Sequence, residues 1–136
     1  MVVRVRVRLR RGDRVVETSA LANSGYEAET PQVLVPRRLA AELGLWPPPP
    51  NSETVFDTAG GPLTVWVVPR AATIKVVEPD AESEEVEVDV VISQLADEVL
   101  LCDKLIGALG IALEDVARGL WRFRHEPVTK LSLIHI

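Results

Sequence analysis

The run Val2–Arg10, "VVRVRVRLR", alternates apolar and basic residues with a period of two. Only a strand sends successive side chains to opposite faces, so Val3, Val5, Val7 and Leu9 fall on one side. Arg4, Arg6, Arg8 and Arg10 fall on the other. A helix would scatter both sets around its circumference. The chain therefore begins as a half-buried strand with one face committed to a core. "RRGDR" at 10–14 supplies a Gly-Asp turn, and residues 15–22 continue as a second strand, so the opening reads as a hairpin.

The same theme recurs downstream. Val33-Leu34-Val35 is a short strand. Pro36 suits the first turn of a helix, Leu39, Ala40 and Leu43 follow at helical spacing, and Gly44 is the stop. "PPPP" at 47–50 is an extended surface connector. "SETVFDTAGGPLTVWVV" at 52–68 reads as two strands about a Gly-Gly turn, and "ATIKVV" at 72–77 as another strand. "EPDAESEE" is an acidic loop. Residues 85–92 alternate again, with Glu85, Glu87 and Asp89 opposite Val86, Val88 and Val90. A buried strand at 99–101, a helix near 103–109 ended by Gly110, and a last strand at 119–123 complete the core. The interior is aliphatic, since 47% of residues are hydrophobic and only 4% aromatic. The Arg face of the first strand and the acid face of 85–89 would match as neighbours, each cross-strand pair contributing about 0.2–1 kcal/mol. The alternative is that both faces are solvated, as charge on edge strands is.

At 136 residues the chain is most simply one domain, assigned to 1–124, with a tail at 125–136. That tail, apolar after a proline, is either a dimer-forming strand or a cloning remnant. A net charge of −5 gives no reason to expect nucleic acid or membrane as partner. Arg outnumbers Lys twelve to three, which fits either genome composition or a thermophilic source. The lone cysteine, Cys102, excludes an internal disulfide and fits a reducing compartment. With no signal-peptide pattern and no run near the roughly 18 apolar residues of a membrane helix, the expected location is cytoplasmic. His125 and His135 both lie in the tail, away from Cys102, so there is no zinc spacing and no ready Ser–His–Asp or Cys–His site. "RRGDR" and "AGGP" lack the Lys-Ser/Thr of a phosphate loop. No metal and no cofactor is expected.

One stretch stands out, "ALANSGY" at 20–26. Alone, Asn23-Ser24-Gly25 is ordinary turn chemistry: Asn caps its own backbone and Gly tolerates positive φ. Its surroundings give it more meaning. The order is a strand with "ALANSG", then "PQVLVPRRLAAELGL", a Gly-rich hairpin, "EVLLCDKLIGALGI" and a closing strand. Across residues 15–124 this resembles the retropepsin-like aspartic proteases, especially their small single-domain archaeal and bacterial members. The motifs are individually loose, while their order and spacing are fairly specific.

The resemblance implies a mainly β fold, a small closed barrel with one or two short helices. It puts Asn23 where the family has its catalytic Asp, with Ser24 bracing the loop and Gly25 allowing the turn. Thr58, Ala59, Gly60 and Gly61 match the tip of a flap over bound peptide. Leu100 and Leu101 match the apolar pair behind the active loop, and Cys102 replaces the usual Gly. That thiol reads most simply as a small buried hydrophobe. Such proteolysis uses two carboxylates sharing one proton. A chain of this size supplies one loop, so a homodimer is implied, with a peptide or unfolded protein segment as partner. An amide keeps the shape but cannot shuttle protons, so the chain as written is expected to be inactive. Either the Asn was introduced, or it is natural and leaves a peptide-binding or purely structural dimer, or another residue is the acid. For the last, Asp57 in "VFDTAGG" is the alternative, although the strand after it favours a hairpin whose turn its carboxylate supports.

Overall fold

The computed structural model describes residues 3–79, 81–124 and 132–133. The fold is mainly β with two short helices. The strands are β1 (Val3–Arg11), β2 (Arg14–Ala22), β3 (Gln32–Pro36), β4 (Glu53–Thr58), β5 (Gly61–Glu78), β6 (Ala81–Glu82), β7 (Val86–Ser93), β8 (Val99–Leu101), β9 (Ile111–Asp115), β10 (Leu120–Phe123) and β11 (Ser132–Leu133). The helices are α1 (Arg37–Glu42) and α2 (Asp103–Ala108). Strands β1-β2-β8-β3-β7-β5 pair in that order, and β5 pairs back onto β1 (Val7 opposite Val76), closing a six-strand barrel.

The opening alternation is realised as read. Val5, Val7 and Leu9 are 0% exposed and Val3 is 1%, all within one core with Val33, Val35, Ile74, Val90 and Ile92. Burying one such side chain contributes about 1.5–3 kcal/mol, so this face of β1 anchors the barrel. The charge faces behave differently from either expectation. Strand β1 lies between β2 and β5, so it is not an edge, and β5 separates it from β7. Among the described residues only Arg10 reaches across, to Glu85 at 2.6 Å, while Arg8 pairs with Glu17 on β2 at 2.7 Å and Arg4 with Glu98 at 3.0 Å.

Helix α1 begins just after Pro36, which serves as its cap residue, and Gly44 follows at φ +75°. Its last carbonyls are covered from the first hairpin: Arg14 donates to Glu42 O and Arg11 to Leu43 O. The strands read at 61–68 and 72–77 are one strand, β5, bent where its pairing with β7 shifts between Val68 and Ala72. A bulge keeps the ladder running through residues that sequence alone separates. The acidic loop contains the two-residue strand β6, paired with the end of β5.

Beyond α2 the structure adds a small sheet, β9–β10–β11, that the sequence reading did not contain apart from the last strand. Its Trp121 and Phe123 stack edge to face at 5.0 Å and are buried in the barrel core. Of the tail, Ser132–Leu133 pairs with β10 of the same chain, and 125–131 and 134–136 lie outside the described residues. No described helix is long and apolar enough to cross a membrane.

Candidate functional site

Strand β8 inserts between β2 and β3, parallel to β2 (Leu21 opposite Leu100) and antiparallel to β3 (Leu34 opposite Leu100). The 23–31 connection from β2 to β3 therefore has to cross the end of β8. Its first link is the Asn23 N–H, which donates to Leu101 O at 3.1 Å. The Asn23 side chain then closes an Asx turn: Gly25 N–H donates to its Oδ1 at 3.1 Å. Gly25 is not in the positive-φ region, and a Cβ there would sit 3.3 Å from that Oδ1, a tight contact that a larger residue would relieve by shifting the Asn23 side chain a few tenths of an ångström.

Further along, the loop is fixed by α2 and β7. Tyr26 O accepts from Asp103 N at 2.8 Å, and the Asp103 carboxylate accepts from Ala28 N at 3.0 Å. The Tyr26 hydroxyl donates to Gln32 Oε1 at 2.9 Å. Burial pushes the Tyr26 phenol well above its usual pKa, with the Cys102 thiol and the Asp89 carboxylate adding to the effect. The hydroxyl thus stays a donor. Cys102 is fully buried, as expected of a small apolar residue, yet its sulfur is also a polar junction. Sγ accepts from Gln32 N at 3.2 Å and from Leu105 N at 3.4 Å, the second bond capping α2, and it faces Thr30 O at 3.6 Å. Asp89 ties the loop to β5, accepting from the Thr30 hydroxyl at 2.6 Å and from Arg70 N at 2.9 Å.

The hairpin β4–β5 forms the roof. Its two-residue tip is Ala59-Gly60, one position earlier than the Gly-Gly turn read from the sequence, with Thr58 paired to Gly61 at φ +109°. Thr58 Oγ1 donates to Gly61 O at 2.6 Å, so the turn is supported by Thr58 and not by the Asp57 carboxylate.

Floor and roof enclose an open cleft of about 840 Å³. Asn23, Gly25 and Tyr26 line it below, Phe56, Asp57, Thr58 and Ala59 above, and Leu34, Leu63 and Leu100 at its apolar back. Of the residues singled out from sequence, Asn23, Gly25, Thr58 and Ala59 face this space. Ser24 is exposed beside it, and Gly60 and Gly61 shape the tip without lining it. The sequence reading missed Tyr26, Gln32, Asp89 and Asp103, whose roles depend on contacts far along the chain. Tyr26 had the only local signal, an aromatic directly after a turn. Among the described residues no group of His, Cys, Asp and Glu is placed to hold a metal ion. No protein-family model and no curated protein matches the chain.

Chemically the floor offers an amide. Asn23 donates and accepts hydrogen bonds but transfers no proton. The lining carboxylates are Glu27 and Asp57, one at each side of the space. A cleft of this size falls in the range of ligand-binding pockets.

Proposed function

We propose that the cleft binds an extended peptide, and that the chain is a retropepsin-like aspartic endopeptidase domain whose own catalysis is blocked by Asn23. In this reading two copies pair about a two-fold axis at the 23–25 loop, so that the two residue-23 side chains meet on one floor. The observation that carries the reading is the position of Asn23. It lies at the floor of a roofed cleft, on a loop that crosses a strand threaded between its two ends. With Asp there, two carboxylates in close contact would share a proton, one activating water and the other protonating the peptide carbonyl. With Asn, the shape and hydrogen-bonding capacity remain and the acid–base cycle stops.

The test is peptide cleavage between about pH 3 and 7, the range a carboxylate dyad spans, for the chain as it stands and for Asn23→Asp. Cleavage only by Asn23→Asp is the expected result. Silence in both with peptide binding retained favours a second reading, a non-enzymatic dimeric peptide-binding module. That reading is supported by the outer edge of β4, unpaired among the described residues, which leaves backbone groups free for strand addition. Cleavage by the unmodified chain that persists in Asn23→Ala removes Asn23 from the site.

A further inference from the structure

The chain contains two asparagines, Asn23 and Asn51, and each is followed by serine. The two dipeptides are chemically identical and both asparagines are exposed, but among the described residues only Asn23 has its side-chain oxygen held by a donor. We propose that Asn23 is a site of spontaneous deamidation built into the fold, and that the reaction places an aspartate on the cleft floor.

Deamidation begins when the nitrogen of the next residue, having lost its proton to solvent base, attacks the asparagine Cγ. The C–N bond to the side-chain amide breaks, ammonia leaves, and a five-membered succinimide remains. Water then opens the ring at one carbonyl to give Asp or at the other to give isoaspartate. The step needs an accessible amide, a free and unhindered neighbouring N–H, proximity, and a donor to the oxygen on which charge develops.

Residue 23 supplies the accessible amide, the free N–H and the donor. Asn23 and Ser24 are exposed, and Ser carries no branched chain to obstruct approach. Among the described residues the Ser24 N–H makes no hydrogen bond, so nothing is broken when it reacts. The Asx turn holds the Asn23 side chain over its own backbone by the bond from Gly25 N–H to Oδ1. The Gly25 N–H, 3.1 Å from Oδ1, is a donor already aimed at the developing oxyanion. Asn51 lacks this last device. It sits in the left-handed region at φ +63°, and its Oδ1 accepts no hydrogen bond among the described residues. The following Ser52 is held by its hydroxyl on Pro49 O at 2.6 Å and by its carbonyl on Val67 N.

The modification stands on this geometry alone, and only its catalytic consequence rests on the peptidase reading. The experiment incubates the native chain for days in mildly alkaline buffer and maps amide-to-acid conversion by peptide mass analysis. Position 23 is expected to convert at least about tenfold faster than position 51, the scale on which modest pre-alignment of reacting groups acts. In concentrated urea, where both Asn-Ser pairs are free, the ratio falls toward one. Ser24→Val slows position 23 alone, and because the 23-to-51 ratio needs no variant, it still decides if Ser24→Val does not fold. Equal conversion at both sites, or faster conversion at 51, overturns the proposal. Peptidase assays on the aged sample then separate the two ideas. Conversion at 23 without cleavage by either the aged chain or Asn23→Asp sinks the peptidase reading and keeps the modification site. Cleavage by Asn23→Asp with no conversion on ageing does the reverse.

Discussion

The floor and the roof of the cleft are both turns between strands, yet they are held in opposite ways. The floor is tied to β8 through Asn23, to α2 through Tyr26, Ala28 and Asp103, and to β7 through Thr30 and Asp89. The tip of the roof is held by its own ladder and the Thr58 bond across it, while its base pairs with β7 at Trp66–Val68 and buries Val65 against Leu34 and Val91. A loop fixed by bonds to distant elements keeps its geometry whatever polar side chain it presents. A hairpin tip with only local bonds belongs to the low-stability end of a structure. The 23–31 loop is thus the more firmly positioned side of the cleft, and the hairpin tip the less.

The largest expected effect tests that division directly. Asn23→Asp is expected to raise peptide cleavage by at least about a hundredfold, the usual scale of a positioned acid–base group. Adding Asp57→Asn to it is expected to change kcat by less than about tenfold, because a roof carboxylate takes no proton in the cycle. Loss of all activity in that double variant breaks the division. Next comes Cys102→Ala, which strands the Gln32 and Leu105 N–H groups in a buried setting. A loss of about 2–4 kcal/mol in urea unfolding is expected, beyond what removing one small apolar group costs. Cys102→Ser, which can still accept, should recover part of it.

Alkaline titration gives a smaller effect. The folded Tyr26 phenol ionises later than the unfolded one, so its contribution is complete below about pH 10 and is lost as pH rises beyond it. Tyr26→Phe should flatten that alkaline decline in thermal unfolding while leaving behaviour at neutral pH nearly parallel. The smallest global effect belongs to the roof. Thr58→Ala is expected to cost under about 1 kcal/mol overall yet speed amide exchange in the β4–β5 hairpin, with the 23–31 loop unaffected. Faster exchange in both regions would show that roof and floor open together.

Much of the barrel was legible because period-two patterning speaks about a residue's own face. Val3, Val5, Val7 and Leu9 needed no partner to be identified as core, and Pro36 and Gly44 bounded α1 by local backbone chemistry. The parts that were not legible depend on partners. Nothing in residues 85–89 says that β5 intervenes between them and β1, so Asp89 read as half of a charge ladder when it braces the loop. Cys102 read as apolar filler because sulfur's capacity to accept two N–H groups shows only when Gln32 and Leu105 converge on it. Strand β9 was hidden behind a helix stop, since Gly110 marks the end of α2 and carries no sign of the strand beyond it. The turn at 23–25 was legible from its own residues, and the bonds that fix the rest of the loop were not.

Strand β5 is wall and arm at once: one end closes the barrel against β1, and the other returns as the roof. Between them is the bulge at 68–72, where Arg70 takes φ +49° and gives its N–H to Asp89, the carboxylate that also grips Thr30. In mechanical terms the bend of β5 is a joint pinned to the same loop that its far end covers. The Asp89 carboxylate therefore joins the bend of β5 to the loop below the hairpin, beside the β5–β7 ladder that runs from Trp66 to Val68.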